Sequence, residues 1–449
     1  MTYEQMKSAV LTFLVLLSVI LTWQLWTFQP EYSLLEEEPE YIESDPIGEE
    51  KAVAEVIQPE QMVLHNGSDD YIVTHEDALF TELYNVLLSS EIDGVFTPAN
   101  EGLQSLLAIE HGVEVVYPTS VVNDVFLRKL TVDADDFHMP LEEVDRVLLF
   151  TTSDSDYVHI RFVSESGQRI VQAFTNYPSG EFEDHFLSQT NELPKAVSYP
   201  AHITNEGFSV QHYLPEETLA FDRLSYTSTL TSATDFRQIL FSDPNYVKFY
   251  RQEDGDQVFT DGNRMMTISG DRNFMDYIHP VFTDNQEPGS TDIVSRAYEF
   301  INGHSGWTDM YLLYDWTSSS VRDEALFRMN VSGLPVFAVE GEDRAYIYVS
   351  QSGIQISRYV RPLFDLDAEP INAREQVILP SGQEVLTYLE SEGYLERQRR
   401  PEVKVGYELT KENAIITLEP HWFIGYNGHW EKISFGDRND LEDERDGLE

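Results

Sequence analysis

Seventy-nine carboxylates and twelve histidines supply ample material for acid–base or metal chemistry, yet none falls into a working spacing. Zinc hydrolysis uses two histidines one helical turn apart with a glutamate beside the first. His75-Glu76 has no second histidine. A calcium loop needs alternating oxygen ligands, a glycine at the sharp turn and a closing glutamate. Asp133-Ala134-Asp135-Asp136 and Asp154-Ser155-Asp156 lack that spacing, and Asp437-Arg438-Asn439-Asp440 puts Leu441 at a ligand position. Each reads as solvated surface. Gly303-His304-Ser305-Gly306 is not the G-x-S-x-G of a nucleophile elbow, and it follows a helical pattern instead of opening one, so it reads as a helix stop. Neither phosphate-cradling glycine motif occurs. Cysteine is absent, which excludes thiol catalysis and disulfides. No catalytic, metal or cofactor residue is assigned.

Two further clusters have bland readings. Arg397-Gln398-Arg399-Arg400 is a local positive patch able to receive an acidic partner; a solvated turn offsetting nearby acids is the favoured reading. His421-Trp422-Phe423-Ile424-Gly425-Tyr426 is aromatic-rich and reads as a core strand.

A different chemistry, hydrogen bonding between helices in lipid, has better-placed residues. Ser8, Thr12, Ser18 and Thr22 fall at about 0°, 40°, −80° and −40° around a helix, inside one arc of about 120°. Small hydroxyl residues on one face let helices approach and bond across the gap. The plain alternative is that they bond back to their own backbone.

The element that would carry them is the run Ala9 to Phe28. These 20 residues contain no charge. As a helix they span about 30 Å, the thickness of the bilayer's hydrocarbon core. Trp23, Trp26, Phe28 and Tyr32 suit an aromatic belt at one interface. The run closes on bulky residues, where a signal-peptide cleavage site would need small ones, so an uncleaved single-pass anchor is expected. Lys7 precedes it, and residues 31 to 50 hold nine acids and no Lys or Arg. That bias puts the N-terminus in the cytoplasm and the bulk of the chain outside.

The net charge of −50 follows from only 8 Lys and 21 Arg. A surface of that kind repels phosphate, so nucleic acid is not an expected partner. Because the acidity is spread along the chain, it reads as adaptation to salty or alkaline surroundings, with cation capture at a cell wall as the alternative.

Along the chain, residues 1–8 form a short cytoplasmic start, 9–28 the membrane helix, and 29–60 an acidic, proline-punctuated linker. Three outer domains follow: 61–190, 191–303 and 304–435, with an acidic tail at 436–449. Periodicity predicts a hairpin about Asn66-Gly67, a helix over His75 to Ser89, and a helix from Thr97-Pro98 to His111. Arg146–Thr152, Tyr157–Val163 and Arg169–Thr175 read as an antiparallel meander. A second meander covers Gln257–Phe259, Arg264–Ser269 and Asn273–Ile278. Helices are expected from caps at Ser290 and Ser381, each ending at a glycine, Gly303 and Gly393. The fold class is α+β: a single membrane helix, then domains built of helices and antiparallel meanders.

The chain also resembles a known family. The segment Leu11 to Trp26, the run Phe259-Thr260-Asp261-Gly262-Asn263-Arg264-Met265-Met266, Phe327-Arg328, Gly333-Leu334-Pro335-Val336-Phe337 and Tyr359-Val360-Arg361-Pro362-Leu363 together are similar to the YycH (WalH) family. That resemblance implies a non-enzymatic regulator of the WalK/WalR two-component system of low-GC Gram-positive bacteria, acting with YycI on the sensor kinase WalK through membrane helices. It implies a three-domain outer region and no catalytic residues. A membrane-tethered wall hydrolase and an envelope binding module are the alternatives from other functional classes.

Overall fold

The computed structural model describes residues 3–27, 47–98, 102–131, 138–190, 192–202, 208–270, 273–280, 292–338, 345–371, 375–426 and 428–435. The chain divides into two units, residues 1–44 and 45–449. The first contains helix α1, Tyr3–Thr27. Its described side chains, Lys7, residues 11–19 and residues 21–23, are exposed. Among the described residues no helix is long and apolar enough to cross a membrane.

The second unit is α+β with antiparallel sheets. Strands β1 (Gln61–Asn66), β2 (Asp69–Val73), β3 (Ile92–Phe96), β4 (His111–Val122), β5 (Glu143–Phe150), β6 (Tyr157–Ser164) and β7 (Arg169–Pro178) form a seven-stranded sheet in the order β2-β1-β4-β5-β6-β7-β3. The expected meander is its β5-β6-β7 half, and the expected hairpin joins β1 to β2 with Asn66 opposite Asp69. Helix α2 (Ala78–Ser89) buries Leu79, Phe80, Leu83, Val86 and Leu87, the one-sided stripe its spacing implied.

A two-stranded ribbon, β8 (Ala196–Pro200) and β9 (Gln211–Pro215), leads into a larger sheet. Its strands are β10 (Leu219–Leu230), β11 (Lys248–Arg251), β12 (Gln257–Thr260), β13 (Met265–Ile268), β14 (Phe274–Ile278), β15 (Tyr311–Thr317), β16 (Asp323–Val331), β17 (Leu334–Ala338), β18 (Tyr346–Ser352), β19 (Gln355–Pro362), β20 (Phe364–Leu366), β21 (Glu375–Leu379), β22 (Glu402–Glu412), β23 (Ile415–Tyr426) and β24 (His429–Lys432). They follow the path β11-β12-β13-β14-β19-β18-β16-β17-β22-β23-β10-β20, with β15, β21 and β24 attached to its side. Only β17 and β22 among these strands pair in parallel. Helices α3 (Ala233–Leu240), α4 (Ile293–His304) and α5 (Gly382–Ser391) pack on the sheet by their buried apolar faces.

Several local expectations change. The helix placed over Thr97 to His111 shrinks to Leu103–Leu107, because Ile92–Phe96 pairs with β7 and His111 already belongs to β4. Ser120 to Leu130, whose pattern suits a helix or a strand, is both in turn: β4 runs to Val122 and Asn123–Leu127 is helical. Ile415 to Leu418 and Trp422 to Tyr426, which read as two strands, are one strand, β23. Ser290, expected to cap α4, lies outside the described residues; Asp292 is the cap, its carboxylate accepting from Ser295 N–H at 2.8 Å. Ser381 caps α5 in a capping box with Glu384, and Gly393 ends it at φ +70°.

The linker does not stay extended to residue 60. Gly48 N–H donates to Ser305 O at 2.8 Å, Glu49 N–H to Trp307 O at 3.0 Å, and Val56 and Ile57 are buried. Five apolar or small residues between Ile47 and Ile57 outweigh the acids around them. Residues 29–46 and the tail 436–449 lie outside the described residues, as does the acid cluster Asp133–Asp136.

Strands expected in the central and C-terminal outer domains join in one sheet through β14 and β19. One apolar core also runs through both sheets, from Val56 and Met62 to Ile416 and Leu418.

Family-like motifs have structural duties here. Ser332 (φ +50°) and Gly333 (φ +78°) make the two-residue turn between β16 and β17. A Cβ on Gly333 would stand 2.3 Å from the His75 Cβ, whereas one on Gly67 (φ +70°) would meet nothing within 4 Å. Both glycine-to-alanine changes carry the left-handed backbone cost of about 1 kcal/mol, but only Gly333→Ala adds a clash. Chemical denaturation is expected to show Gly333→Ala destabilised by about 3 kcal/mol, and Gly67→Ala by no more than about 1 kcal/mol.

Candidate functional site

The charged side chains that sequence reading passed over gather around a cleft. It has a volume of about 1090 Å³ and is lined from one side by residues of β1, β4 and β5 and from the other by residues of β9, β15, β16, β22 and β24. Two ion clusters hold its walls.

The first sits on β1, β4 and β5. Glu114 is buried between Val113 and Val115 of β4 and pairs with the equally buried Arg146. Tyr213 of β9 donates to the other Glu114 oxygen at 2.8 Å. His65 joins the cluster, Nδ1 lying 2.7 Å from Asp70 and Nε2 3.4 Å from Glu114. Burial penalises each charge, and the partners overcome the penalty. The Arg146 charge and the His65 hydrogen bond hold Glu114 down to about 2. Burial opposes the His65 charge, but the hydrogen bond to Asp70 and the adjacent Glu114 carboxylate push it up to about 9.

The second cluster centres on Lys404 of β22. Its ammonium lies 2.6 Å from Glu60 and 2.8 Å from Glu402, and faces the rings of Trp430 at 4.7 Å and Tyr314 at 5.0 Å. Burial works against the charge, and the two carboxylates more than restore it, raising Lys404 above the usual lysine range. Arg328 lies against Tyr314 and Phe337, 4.5 and 4.6 Å from their ring centroids, and donates to Val336 O at 3.2 Å. Because Glu60 comes from the segment before β1 and Lys404 from β22, this ion pair ties chain ends 344 residues apart.

These residues carried a sequence signal that spacing rules for catalysis do not use. Each is a charge flanked on both sides by apolar residues in a strand: Val113-Glu114-Val115, Val403-Lys404-Val405, Phe327-Arg328-Met329. Such a charge must find a partner when the strand is buried.

Among the described residues, Gly303-His304-Ser305-Gly306 does not form a nucleophile site. Ser305 and Gly306 end α4, both donating N–H to Ile301 O. The Ser305 hydroxyl accepts from Arg361, a fully buried guanidinium that also reaches Gly306 O and Tyr359 OH. His304 stacks on Phe300 at 4.1 Å and bonds to its carbonyl, away from that hydroxyl. Among the described residues no group of three or more acids or histidines is placed to hold a metal. Arg397 packs on Tyr394 and Tyr426, and Arg400 donates to Leu395 O and Pro200 O, so that cluster serves the local fold. Trp422 and Phe423 are core residues of β23, as read. In α1, the Thr22 hydroxyl donates to Ser18 O at 2.8 Å; Thr12 and Ser18 are exposed, and the Ser8 side chain lies outside the described ones.

Family models match most of the chain: the YycH protein N-terminal domain at residues 4–184 and the YycH protein C-terminal domain at 209–440. The chain belongs to the YycH family. A protein of Bacillus subtilis (strain 168) described as "Two-component system WalR/WalK regulatory protein YycH" is 22% identical over 443 residues, covering 95% of this chain and 96% of its own. The crystal structure of YycH from Bacillus subtilis shares the fold, with a TM-score of 0.69 at 18% identity over 87% of this chain and all of that one. The cleft therefore lies where the segments matched by the two family domains face each other.

The charge clusters make two measurable predictions. His65 binds its proton more tightly folded than unfolded, so its contribution is complete below about pH 6.5 and fades as pH rises through about 9. Parent and His65→Gln are expected to differ by about 3 kcal/mol near pH 6 and to converge by pH 9. Comparing the two cancels the opposite titration of His75 and His212, which burial holds down to about 4. Parallel stability curves across that range would refute the assignment. Lys404→Met leaves two carboxylates without their cation and is expected to cost about 3–5 kcal/mol, part of it regained on adding Glu60→Gln.

Proposed function

We propose that this chain is a membrane-anchored, non-enzymatic regulator of an essential sensor histidine kinase of the WalK type, one that controls cell-wall metabolism, and that it works with a YycI-type partner through contacts between transmembrane helices. The observation that supports the two-component role is family membership together with the name of the Bacillus subtilis relative, which matches end to end. The uncharged run of 20 residues supports the anchor, with its N-terminus cytoplasmic and the bulk of the chain extracytoplasmic.

In this reading α1 shifts the balance between kinase states. A helix does that only by the difference in its contact free energy with the two states, about 1–3 kcal/mol for a typical coupling. Ser8, Thr12, Ser18 and Thr22 form the close-packing face. The Thr22 bond to Ser18 O leaves the hydroxyl oxygen's lone pairs available to a donor on a neighbouring helix.

Replacing the four hydroxyl residues by leucine in the full-length chain should reduce co-purification with the kinase from membranes at least severalfold, while four leucines on the opposite face should not. Equal recovery of the kinase with both variants would refute the helix-contact mechanism.

A further inference from the structure

The cleft wall holds its own example of a recognised ligand group. Lys404 shows how this surface takes an ammonium: two carboxylates within 2.8 Å and two aromatic rings within 5.0 Å. A second set of carboxylates on the same cleft has no such cation. Glu143 and Asp145 lie two residues apart on β5, and the backbone N–H of Glu165 donates to Asp145 at 2.6 Å. Glu165 pairs with His202 at 2.7 Å. Glu143 accepts from the hydroxyls of Ser120 and Ser166. Among the described residues no lysine or arginine comes within ion-pair distance of Glu143 or Asp145.

Independent signs of an occupant come from buried polar atoms on the same lining. The Tyr314 hydroxyl has no hydrogen-bond partner, although the residue is only 8% exposed. The His75 Nε2 atom is likewise enclosed and unpartnered. Buried polar groups ordinarily have partners. The cleft's volume of about 1090 Å³ stands at the top of the range for small-ligand sites, about 300–1,000 Å³, and a boundary between domains is a common place for such sites.

We propose that this cleft binds a ligand carrying two or more ammonium groups, a polyamine or a short lysine-bearing peptide, with Glu143 and Asp145 receiving one ammonium and the Tyr314 hydroxyl accepting from another polar group of the ligand. Nine carboxylates and five Lys or Arg side chains line the cleft, so a cation is favoured over an anion there. Burial and the neighbouring carboxylates Glu165 and Glu143 push Asp145 up to about 6, more than the Glu165 N–H and the Arg146 charge offset. This inference stands apart from the helix contacts: a protein that binds amines but not the kinase, or the reverse, separates the two.

The test is calorimetric titration of the full-length protein in detergent micelles with spermidine, with the peptide Lys-Gly-Lys, and with that peptide acetylated on every amine. Saturable one-site binding of either amine, lost on acetylation and weakened about tenfold by Glu143→Gln with Asp145→Asn, is the expected result. The tighter of the two amines identifies the source. Thermal melts establish that the double variant is folded. Tyr314→Phe, which removes one oxygen, provides a second reading and should weaken binding about threefold. Absence of saturable binding overturns the proposal. So does many-sited binding that neither variant alters, which is what the diffuse −50 charge alone would give.

Discussion

The pairing of scarce cations with buried carboxylates is the constraint on which the rest of this structure depends. The chain has 29 Lys and Arg against 79 acids, yet Arg146, Arg328 and Arg361 are buried, and Lys404 is nearly so. On a molecule so acidic, surface cations would relieve repulsion most broadly. These few are placed inside instead, where a carboxylate or carbonyl taken out of water would otherwise cost several kcal/mol. Arg146 joins β5 to β4, and Tyr213 brings β9 to the same carboxylate. Lys404 joins β22 to the segment before β1. The two ion clusters fix the relative positions of the cleft's walls, and the continuous apolar core beneath supplies the cohesion.

Much of the fold was legible because its signals are local. The β5-β6-β7 and β12-β13-β14 meanders follow from alternating apolar residues broken by Asp-Ser-Asp, Glu-Ser-Gly and Asp-Gly-Asn turns. Helices α2 and α5 follow from apolar spacing and, in α5, a capping box. What was not legible depends on pairing between distant segments. Nothing in β14 or β19 announces that Asp276 will lie opposite Val360. Nothing local turns Thr97 to His111 away from a longer helix except the strands on either side, which have partners of their own.

The cleft was legible in part. Glu114, Lys404 and Arg328 each stand between two apolar neighbours in a strand, so each had to have a partner once that strand was buried. Which partner is a matter of register. Glu60 meets Lys404 across 344 residues because β22 lies beside the entry to β1, and no spacing rule spans that distance. Gly303-His304-Ser305-Gly306 shows the converse: a pattern with the right residue types resolves into a helix stop once Arg361, 56 residues away, claims the serine oxygen.

The large sheet poses a problem that the charge distribution answers. An open sheet ends in strands whose unpaired N–H and C=O groups can recruit another chain. At one end of the path lies β20, only three residues long. At the other lies β11, every residue of which is exposed, with Phe249 and Tyr250 among them. Those two aromatics are bracketed by Lys248 and Arg251, cations in a chain that has few. A second copy approaching edge to edge would bring Lys248 and Arg251 against their own counterparts, and like charges so placed oppose pairing. Net charge adds to this, since two bodies so strongly negative repel before their edges meet. The same acidity that demands cations inside the molecule thus leaves two of them on the exposed edge strand β11, where they discourage self-association.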